Sequence, residues 1–210
     1  MISSAQFFGF LVAAVLITLA PGPDNLMVLG MGMSRGRRQG IAFGLGCAFG
    51  CLSHTTLAVL GVSALIAASP PTFTALRIGG GAYLLWLGWG ALRSRGATAV
   101  RAGGDAKRGA SMLKLFFRGV FANAINPKVV LFFLSFLPQF VDARRGHVAW
   151  QLAALGVTFT LQAALLFGLI GAFSGVIGEQ LKRRPRLGVW LDRVAGTVFV
   201  GLGLKLIVAR

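Results

Sequence analysis

The chain has 210 residues, of which 56% are hydrophobic and only 12% charged, and its formal net charge is +16. A soluble domain carries about a quarter charged residues, whereas the apolar residues here form blocks of about 20, the length that crosses a bilayer. The basic residues lie between these blocks, and no polar domain could hold a nucleic acid. The composition therefore predicts a multi-pass integral membrane protein with no soluble domain and no nucleic-acid partner.

Six apolar blocks predict an all-α integral membrane protein with six transmembrane helices. The first block has neither the basic start nor the small-residue cleavage site of a secretory signal, so we expect it to be retained as the first span. In chain order, the predicted spans are Phe7–Met31, Gly40–Ala68, Thr72–Leu92, Phe116–Phe140, Val148–Val176 and Leu187–Val208.

The connections between the spans predict the orientation in the membrane. Most of the 21 Lys and Arg residues lie in or directly beside the first, third and fifth connections. Cytoplasmic loops carry the excess of basic residues, so these three connections are predicted to be cytoplasmic. Both termini then lie outside, and this alternation fits six spans but not five.

Two of the predicted spans are interrupted by proline. The first contains Pro21, Gly22 and Pro23, and the fourth contains Asn126 and Pro127. Proline removes a backbone donor, and unpaired backbone groups at membrane depth are tolerated only where they face protein or a water-filled cavity. Matching broken helices in the two halves of a membrane protein predict a transport site.

A polar stretch divides the six spans into two sets of three. Three is an odd number, so the second set is inverted relative to the first, and each set begins with a broken helix. Residues 1–210 are therefore predicted to be a single membrane transporter domain. It consists of one repeat at about 1–92, a cytoplasmic linker at about 93–113 and a second repeat at about 114–210.

Charged residues beside the breaks are the main candidates for function. Asp24 is the only acid well inside an apolar block, where an ionisable group is a functional candidate. Alternatively, Asp24 caps a helix that begins near Asn25. Lys128 could pair with Asp24, meet a substrate carboxylate, or extend toward the membrane interface.

Neutral polar residues complete the predicted site. Asn25, Asn123 and Asn126 supply donors and acceptors near the breaks, and a free helix N-terminus attracts a carboxylate. A solute with both a carboxylate and an ammonium would suit this combination, so the expected substrate is an amino acid or a close relative. His54, as a proton relay or a hydrogen-bonded packing residue, and Gln162 are further candidates.

Other kinds of site are not found in the sequence. There is no metal constellation, no nucleotide-binding glycine loop and no serine with a partner histidine and acid. We therefore expect no cofactor, no metal and no enzymatic activity. Two alternatives to an exporter stay open: a channel or small-ion carrier, and an intramembrane thiol redox protein. The second would need a cysteine in each half, whereas Cys47 and Cys51 lie in one span.

Small residues recur every three or four positions in several spans. Examples are Gly46 and Gly50 in the second span and Gly168, Gly171 and Gly175 in the fifth. Such stripes let helices approach closely in lipid. We expect them to pack the helix bundle, with the sliding surfaces of a moving transporter or the face of a homodimer as the alternatives.

Four motifs, in their order and spacing, resemble the LysE/RhtB family of amino-acid exporters over essentially the whole chain. They are Ala20–Asp24, the basic turn Ser34–Gly40, the aromatic run Gly79–Gly88, and Asn126–Lys128 at the head of a Phe-rich span. The resemblance implies an antiporter of the bacterial inner membrane that exports amino acids or their derivatives in exchange for protons. The homoserine/threonine-type branch of this family resembles the chain more than the lysine-exporting branch does. Intramembrane Asp24 or His54 is the expected proton carrier.

Overall fold

The computed structural model describes residues 2–64, 69–94 and 111–208, which form nine α-helices and no strand. The all-α prediction is therefore confirmed. The helices are α1 Ser4–Leu19, α2 Pro23–Arg35, α3 Arg37–Leu57, α4 Pro70–Arg93, α5 Met112–Ala124, α6 Pro127–Leu131, α7 Val148–Ala172, α8 Ser174–Arg183 and α9 Pro185–Val208.

Two of these helices continue in a different helical geometry. Helix α3 continues as a π-helical turn at Ala58–Val62. Helix α6 continues as a π-helical segment at Phe132–Phe136 and then as a 3₁₀ segment at Leu137–Phe140. A further 3₁₀ turn, Ala143–Arg145, precedes α7.

Two helices are long and apolar enough to cross a membrane, namely α3 with its π-helical end and α7. Two bent pairs pass the same test together, α1 with α2 and α5 with extended α6, and each pair is bent by 54°. The described residues thus hold two spans by length and composition, or up to four if each bent pair is one span. Helices α4 and α9 do not pass, so the six-span arrangement stays a prediction.

Some predicted boundaries differ from the observed ones. The fifth predicted span, residues 148–176, is wrong at its end, because α7 stops at Ala172 and a separate helix starts at Ser174. Residues 65–68 of the second predicted span and 95–110 of the predicted linker lie outside the described residues.

The bend between α1 and α2 follows from two prolines. Pro21 has no N–H to continue α1, so that helix ends at Leu19. Pro23 is the first residue of α2, a position where a missing N–H removes no helical hydrogen bond. Gly22 is the N-cap, and Asp24 lies in the first turn. The alternative that Asp24 caps this helix is therefore wrong.

The bend between α5 and α6 is built differently. Pro127 is again the first residue of the following helix, but the preceding Asn126 caps it with its own side chain. The Asn126 side-chain oxygen accepts a hydrogen bond of 3.0 Å from the backbone N–H of Lys128. The second break thus has a local side-chain cap, which the first break lacks.

Glycines bring α3 into close contact with two other helices. A Cβ added at Gly46 would overlap the carbonyl oxygen of Phe116 in α5, and one added at Gly171 of α7 would lie 2.6 Å from the backbone of α3. Both glycines are confirmed as packing residues. Gly168 and Gly175 instead face open space, so they do not pack the bundle, and the alternative that they form the face of a homodimer stays a prediction.

Helices α4 and α9 pack against each other through two glycine pairs. Gly81 lies opposite Gly203, and Gly88 lies opposite Gly196. A Cβ added to any of the four would lie 2.8 to 3.0 Å from the carbonyl oxygen of the opposing glycine. The last long helix of each half of the chain therefore packs against its counterpart.

Phenylalanines fill the core beside the breaks. The π-helical segment after α6 buries both Phe132 and Phe133, whose ring centroids lie 5.3 and 4.9 Å from that of Phe159 in α7. Phe10 of α1 lies 6.3 Å from Phe132 by the same measure. These rings place a dense apolar wall next to the polar groups of the breaks.

The outer surface of the bundle is rich in exposed apolar side chains. Leu60, Trp150 and Phe121 are among the most exposed. A soluble monomer rarely exposes so much apolar surface, whereas a bilayer favours it. Gly79 and Gly90 of α4 also face open space, and the homodimer stays a prediction.

Candidate functional site

The first helix break receives its missing hydrogen-bond donor from the other half of the chain. Lys128 Nζ donates to the carbonyl oxygens of Ile17 and Ala20, each at 2.9 Å. In an uninterrupted helix, the Ile17 carbonyl would accept from residue 21, which is a proline. The buried lysine therefore replaces that donor and places its charge at the negative end of the α1 dipole.

The second break shows the same exchange in the opposite direction. The carbonyl oxygen of Asn123 would accept from residue 127, which is also a proline. It accepts instead from the backbone N–H of Asn126 at 2.8 Å and from His54 Nε2 at 3.1 Å. Helix α3 of the first half thus donates to the break in the second half. In the neutral ring this leaves Nδ1 of His54 as an acceptor.

Asp24 also connects the two breaks. Its carboxylate is 1% exposed, and Oδ2 accepts a hydrogen bond of 2.6 Å from the side-chain amide of Asn123. Cys51 Sγ donates to the Asn123 side-chain oxygen at 3.5 Å, which orients that amide toward Asp24. The predicted ion pair between Asp24 and Lys128 is wrong, because among the described residues no ion pair within 4.0 Å joins them and Lys128 bonds to carbonyls instead.

Thr18 links two of the other predicted residues. Its carbonyl oxygen accepts from the Asn25 side chain at 2.8 Å, and its hydroxyl accepts from the Gln162 side chain at 2.9 Å. Asn25 therefore satisfies another carbonyl at the end of α1, and Gln162 brings α7 to the same place. Both were predicted as candidates, and the fold brings both to the first break.

A small buried cavity lies between the breaks. The volume of this cavity that the centre of a water molecule can occupy is about 10 Å³, so the cavity holds about one water. An amino acid does not fit in this conformation. The cavity is bounded by Asp24, Lys128, Asn123 and Thr18 on its polar side and by Phe132, Phe159 and Phe167 on its apolar side.

Several buried polar atoms around the breaks have no hydrogen-bond partner within the described part of the chain. Buried polar groups are nearly always paired, so a group of unpaired ones indicates a place where a polar solute or water binds. They include both acceptors and a donor. The atoms are Asp24 Oδ1, Asn25 Oδ1, Gln162 Oε1, His54 Nδ1 and Asn126 Nδ2.

All the sequence candidates lie at or beside the two breaks, but some neighbours were missed. Thr18 is a polar residue three positions before Pro21, and this position could have marked it. Cys51 was considered only for the thiol redox alternative, yet it lines the cavity. The aromatic wall from α7, with Phe159 and Phe167, carried no signal in the sequence, since phenylalanines are frequent throughout the chain.

No group of three or more potential metal-binding side chains occurs in residues 2–64, 69–94 and 111–208. Cys47 and Cys51 are both buried, and neither forms a disulfide.

Comparison with known proteins identifies the family. The family described as LysE type translocator matches the chain over residues 15–210. The chain belongs to the LysE type translocator family. This confirms the family resemblance found in the sequence motifs, and it agrees with the apolar helices in assigning the chain to the membrane proteins.

Similar proteins cover nearly the whole length of this LysE type translocator. A leucine efflux protein of Enterobacter sp. is 32% identical over 96% of this chain and 94% of its own length. A threonine efflux protein of Escherichia coli strain K12 is 32% identical over 93% of this chain and 94% of its own length. A Vibrio cholerae protein described as an uncharacterized membrane protein is 31% identical, with 97% of both chains covered. No solved structure matches the chain.

Proposed function

We propose that this translocator is a secondary active exporter of amino acids or amino-acid derivatives across the cytoplasmic membrane of a bacterium. The observation that carries the proposal is the meeting of two proline-broken helices around buried, partly unpaired polar atoms. Broken helices with this arrangement supply binding groups for small polar solutes at membrane depth. The leucine and threonine efflux proteins among its relatives support an amino acid as the solute.

The chemistry around the breaks suits a zwitterion. Asp24 Oδ1 is an unpaired carboxylate oxygen that can accept from the substrate ammonium. Asn126 Nδ2 is an unpaired buried donor two positions before the cavity-lining Lys128, and it can bond the substrate carboxylate once the second break opens. Lys128 adds a positive charge close to the same cavity. A solute with only one of the two charged groups would leave part of this site unpaired.

Transport requires the cavity to enlarge. Because it holds about one water, the structure corresponds to a closed conformation of the proposed carrier. The breaks are the natural hinges, since Pro21 and Pro127 each remove one helical hydrogen bond there. We propose that alternating movement at these hinges exposes the site first to the cytoplasm and then to the outside.

Proton coupling is proposed to pass through Asp24 or His54. Asn123 connects the two, because its side chain donates to Asp24 and its carbonyl oxygen accepts from His54. A proton bound at either residue would change the charge of the groups around the substrate ammonium. Export driven by a pH gradient that persists in the double variant Asp24→Asn, His54→Ala would contradict this assignment.

The proposed topology is six spans in two inverted repeats, within a single transporter domain and with both termini outside. The equal bends of 54° in the two halves support it, as does the packing of α4 against α9. Cysteine-accessibility labelling from each side of the membrane would test it. Labelling of residues near positions 35 and 182 from the outside would contradict the proposed orientation.

The function is tested by export from cells that overproduce the chain. Cells are loaded with a panel of dipeptides, peptidases release the amino acids, and their appearance outside is followed. We expect faster export of one or a few amino acids, lost in Asp24→Asn and retained in Glu179→Gln, a matched change at an exposed acid. Uptake without saturation or counterflow in vesicles would instead favour a channel or small-ion carrier.

A further inference from the structure

We infer that the ammonium of Lys128 occupies the binding site of the substrate ammonium when the carrier is empty. In this inference, the primary ammonium of the solute displaces Lys128 from the carbonyl oxygens of Ile17 and Ala20. The identity of the solute as an amino acid rests on the proposed function. The existence of an ammonium site at the end of α1 does not rest on the proposed function.

The surroundings of Lys128 Nζ are those of a site for a primary ammonium. Two carbonyl oxygens accept from it at 2.9 Å, and the ring centroid of Phe199 lies 5.7 Å away. Carbonyl oxygens and an aromatic face are the groups that bind ammonium ions in proteins. The residue as a whole is 6% exposed, so the ammonium is removed from water.

The end of α1 favours a cationic donor whether or not a lysine provides it. Pro21 removes the donor for the Ile17 carbonyl, and the carbonyls at a helix C-terminus carry a partial negative charge. Gly22 adds space, because a Cβ there would lie only 3.0 Å from Lys128 Nζ. These features belong to the first half of the chain, whereas the lysine comes from the second half.

A solute ammonium that enters the enlarged cavity can reach the carbonyls that Lys128 occupies. Asp24 Oδ1 is unpaired and lines the same cavity as Ile17 and Lys128. An ammonium that enters beside Asp24 therefore reaches the carbonyls that Lys128 occupies. Exchanging one ammonium for another leaves the buried positive charge at this place unchanged. The large free-energy cost of leaving buried polar groups unpaired is therefore avoided. The released lysine is then available for the substrate carboxylate.

The experiment measures the thermal stability of purified protein in detergent with and without methylammonium, a primary ammonium without a side chain. In Lys128→Ala the vacated carbonyls should bind it. We expect the Tm of this variant to rise by about 4 °C when methylammonium exceeds its Kd tenfold. The wild-type protein should respond more weakly, because its own lysine competes with methylammonium for the same carbonyls. Tetramethylammonium, which has no N–H donor, should stabilise neither protein.

The matched control is Lys205→Ala. Lys205 is an exposed lysine whose Nζ lies 5.2 Å from the ring centroid of Phe140, so its loss removes a charge near aromatic rings without vacating helix-end carbonyls. Methylammonium should stabilise this variant no more than it stabilises the wild-type protein. An equal response of wild type, Lys205→Ala and Lys128→Ala would overturn the inference, as would an equal effect of tetramethylammonium.

A second variant guards against misfolding of the first. Lys128→Met keeps an unbranched chain of similar length and removes only the charged donor. If Lys128→Ala does not accumulate, the measurement on Lys128→Met decides the question, with ammonium in place of methylammonium because the methionine chain leaves room only for the missing nitrogen. Folding of either variant only with its cation present would support the inference, and failure of both with and without the cation would count against it. This experiment measures no transport. Its result therefore stands even if the proposal of an amino-acid substrate fails.

Discussion

The two helix breaks share one geometry but are stabilised by different groups. Each bends its helix pair by 54°, and in each a proline deprives a carbonyl of its donor. At the first break, a lysine from the other half replaces the donor. At the second, a neighbouring backbone N–H does so together with a histidine.

The difference shows which break depends on the tertiary structure. The second break keeps a local donor and a local cap from Asn126, so it is largely satisfied by its own residues. At the first break, Asn25 provides one local bond, but Ile17 and Ala20 rely on Lys128. We therefore expect the first break to be the more easily opened one during transport.

The strongest test of this comparison is Lys128→Ala. It removes two charge-assisted hydrogen bonds and leaves two buried carbonyls unpaired, so we expect a loss of about 3 kcal/mol in the free energy of unfolding. Export should fall to background. Thermal unfolding in detergent and the export assay measure both. A variant that unfolds and exports like Lys205→Ala would show that the first break does not depend on Lys128.

Asp24→Asn should abolish function with a smaller effect on stability. Asparagine keeps the shape and can still accept from Asn123, but it no longer attracts an ammonium. Losing a charge-assisted hydrogen bond of about 2 kcal/mol corresponds to roughly 30-fold weaker substrate binding. Substrate-dependent thermal stabilisation of the purified protein measures this change. Unchanged binding, with Glu179→Gln as the control, would remove Asp24 from the proposed site.

His54→Gln should have a smaller effect than Lys128→Ala. The Asn123 carbonyl keeps its bond from the Asn126 backbone, and glutamine can donate in place of the ring. We expect a loss of about 1 kcal/mol in the free energy of unfolding. Thermal unfolding checks it. A loss as large as that of Lys128→Ala would mean that the second break is no more self-sufficient than the first.

The smallest effect is expected for the double variant Cys47→Ser, Cys51→Ser. Serine at position 51 can still donate to Asn123, and both hydroxyls can bond a carbonyl one turn earlier in α3. Export should stay within about twofold of wild type, a change of less than 1 kcal/mol. The export assay measures it. Complete loss of export in a folded variant would revive the thiol redox alternative.

Much of the site could be predicted from the sequence, and the reason is the chemistry of proline and of charge in lipid. Pro21 and Pro127 marked the breaks, because no structural context restores their missing N–H. Asp24 and Lys128 stood out because charged residues within apolar blocks are rare. Thr18 and Phe167 were missed, because neither residue type is unusual in a membrane helix.

The partners of these residues could not be predicted in the same way. A pair between Asp24 and Lys128 was a reasonable expectation from their signs alone. In the fold, Lys128 instead donates to the carbonyls of α1, and Asp24 accepts from Asn123. Opposite charges do not reveal which of several nearby acceptors a buried ammonium will reach, since this depends on how the helices pack.

The sequence by itself determined where the helices break, which charges lie in the apolar interior and to which family the motifs point. These properties depend on residue type and local order. Only the tertiary structure decided that each half of the chain supplies a donor to the break of the other. Lys128 and Ile17 are 111 positions apart, so helix packing alone brings the ammonium to the carbonyl that Pro21 leaves unpaired.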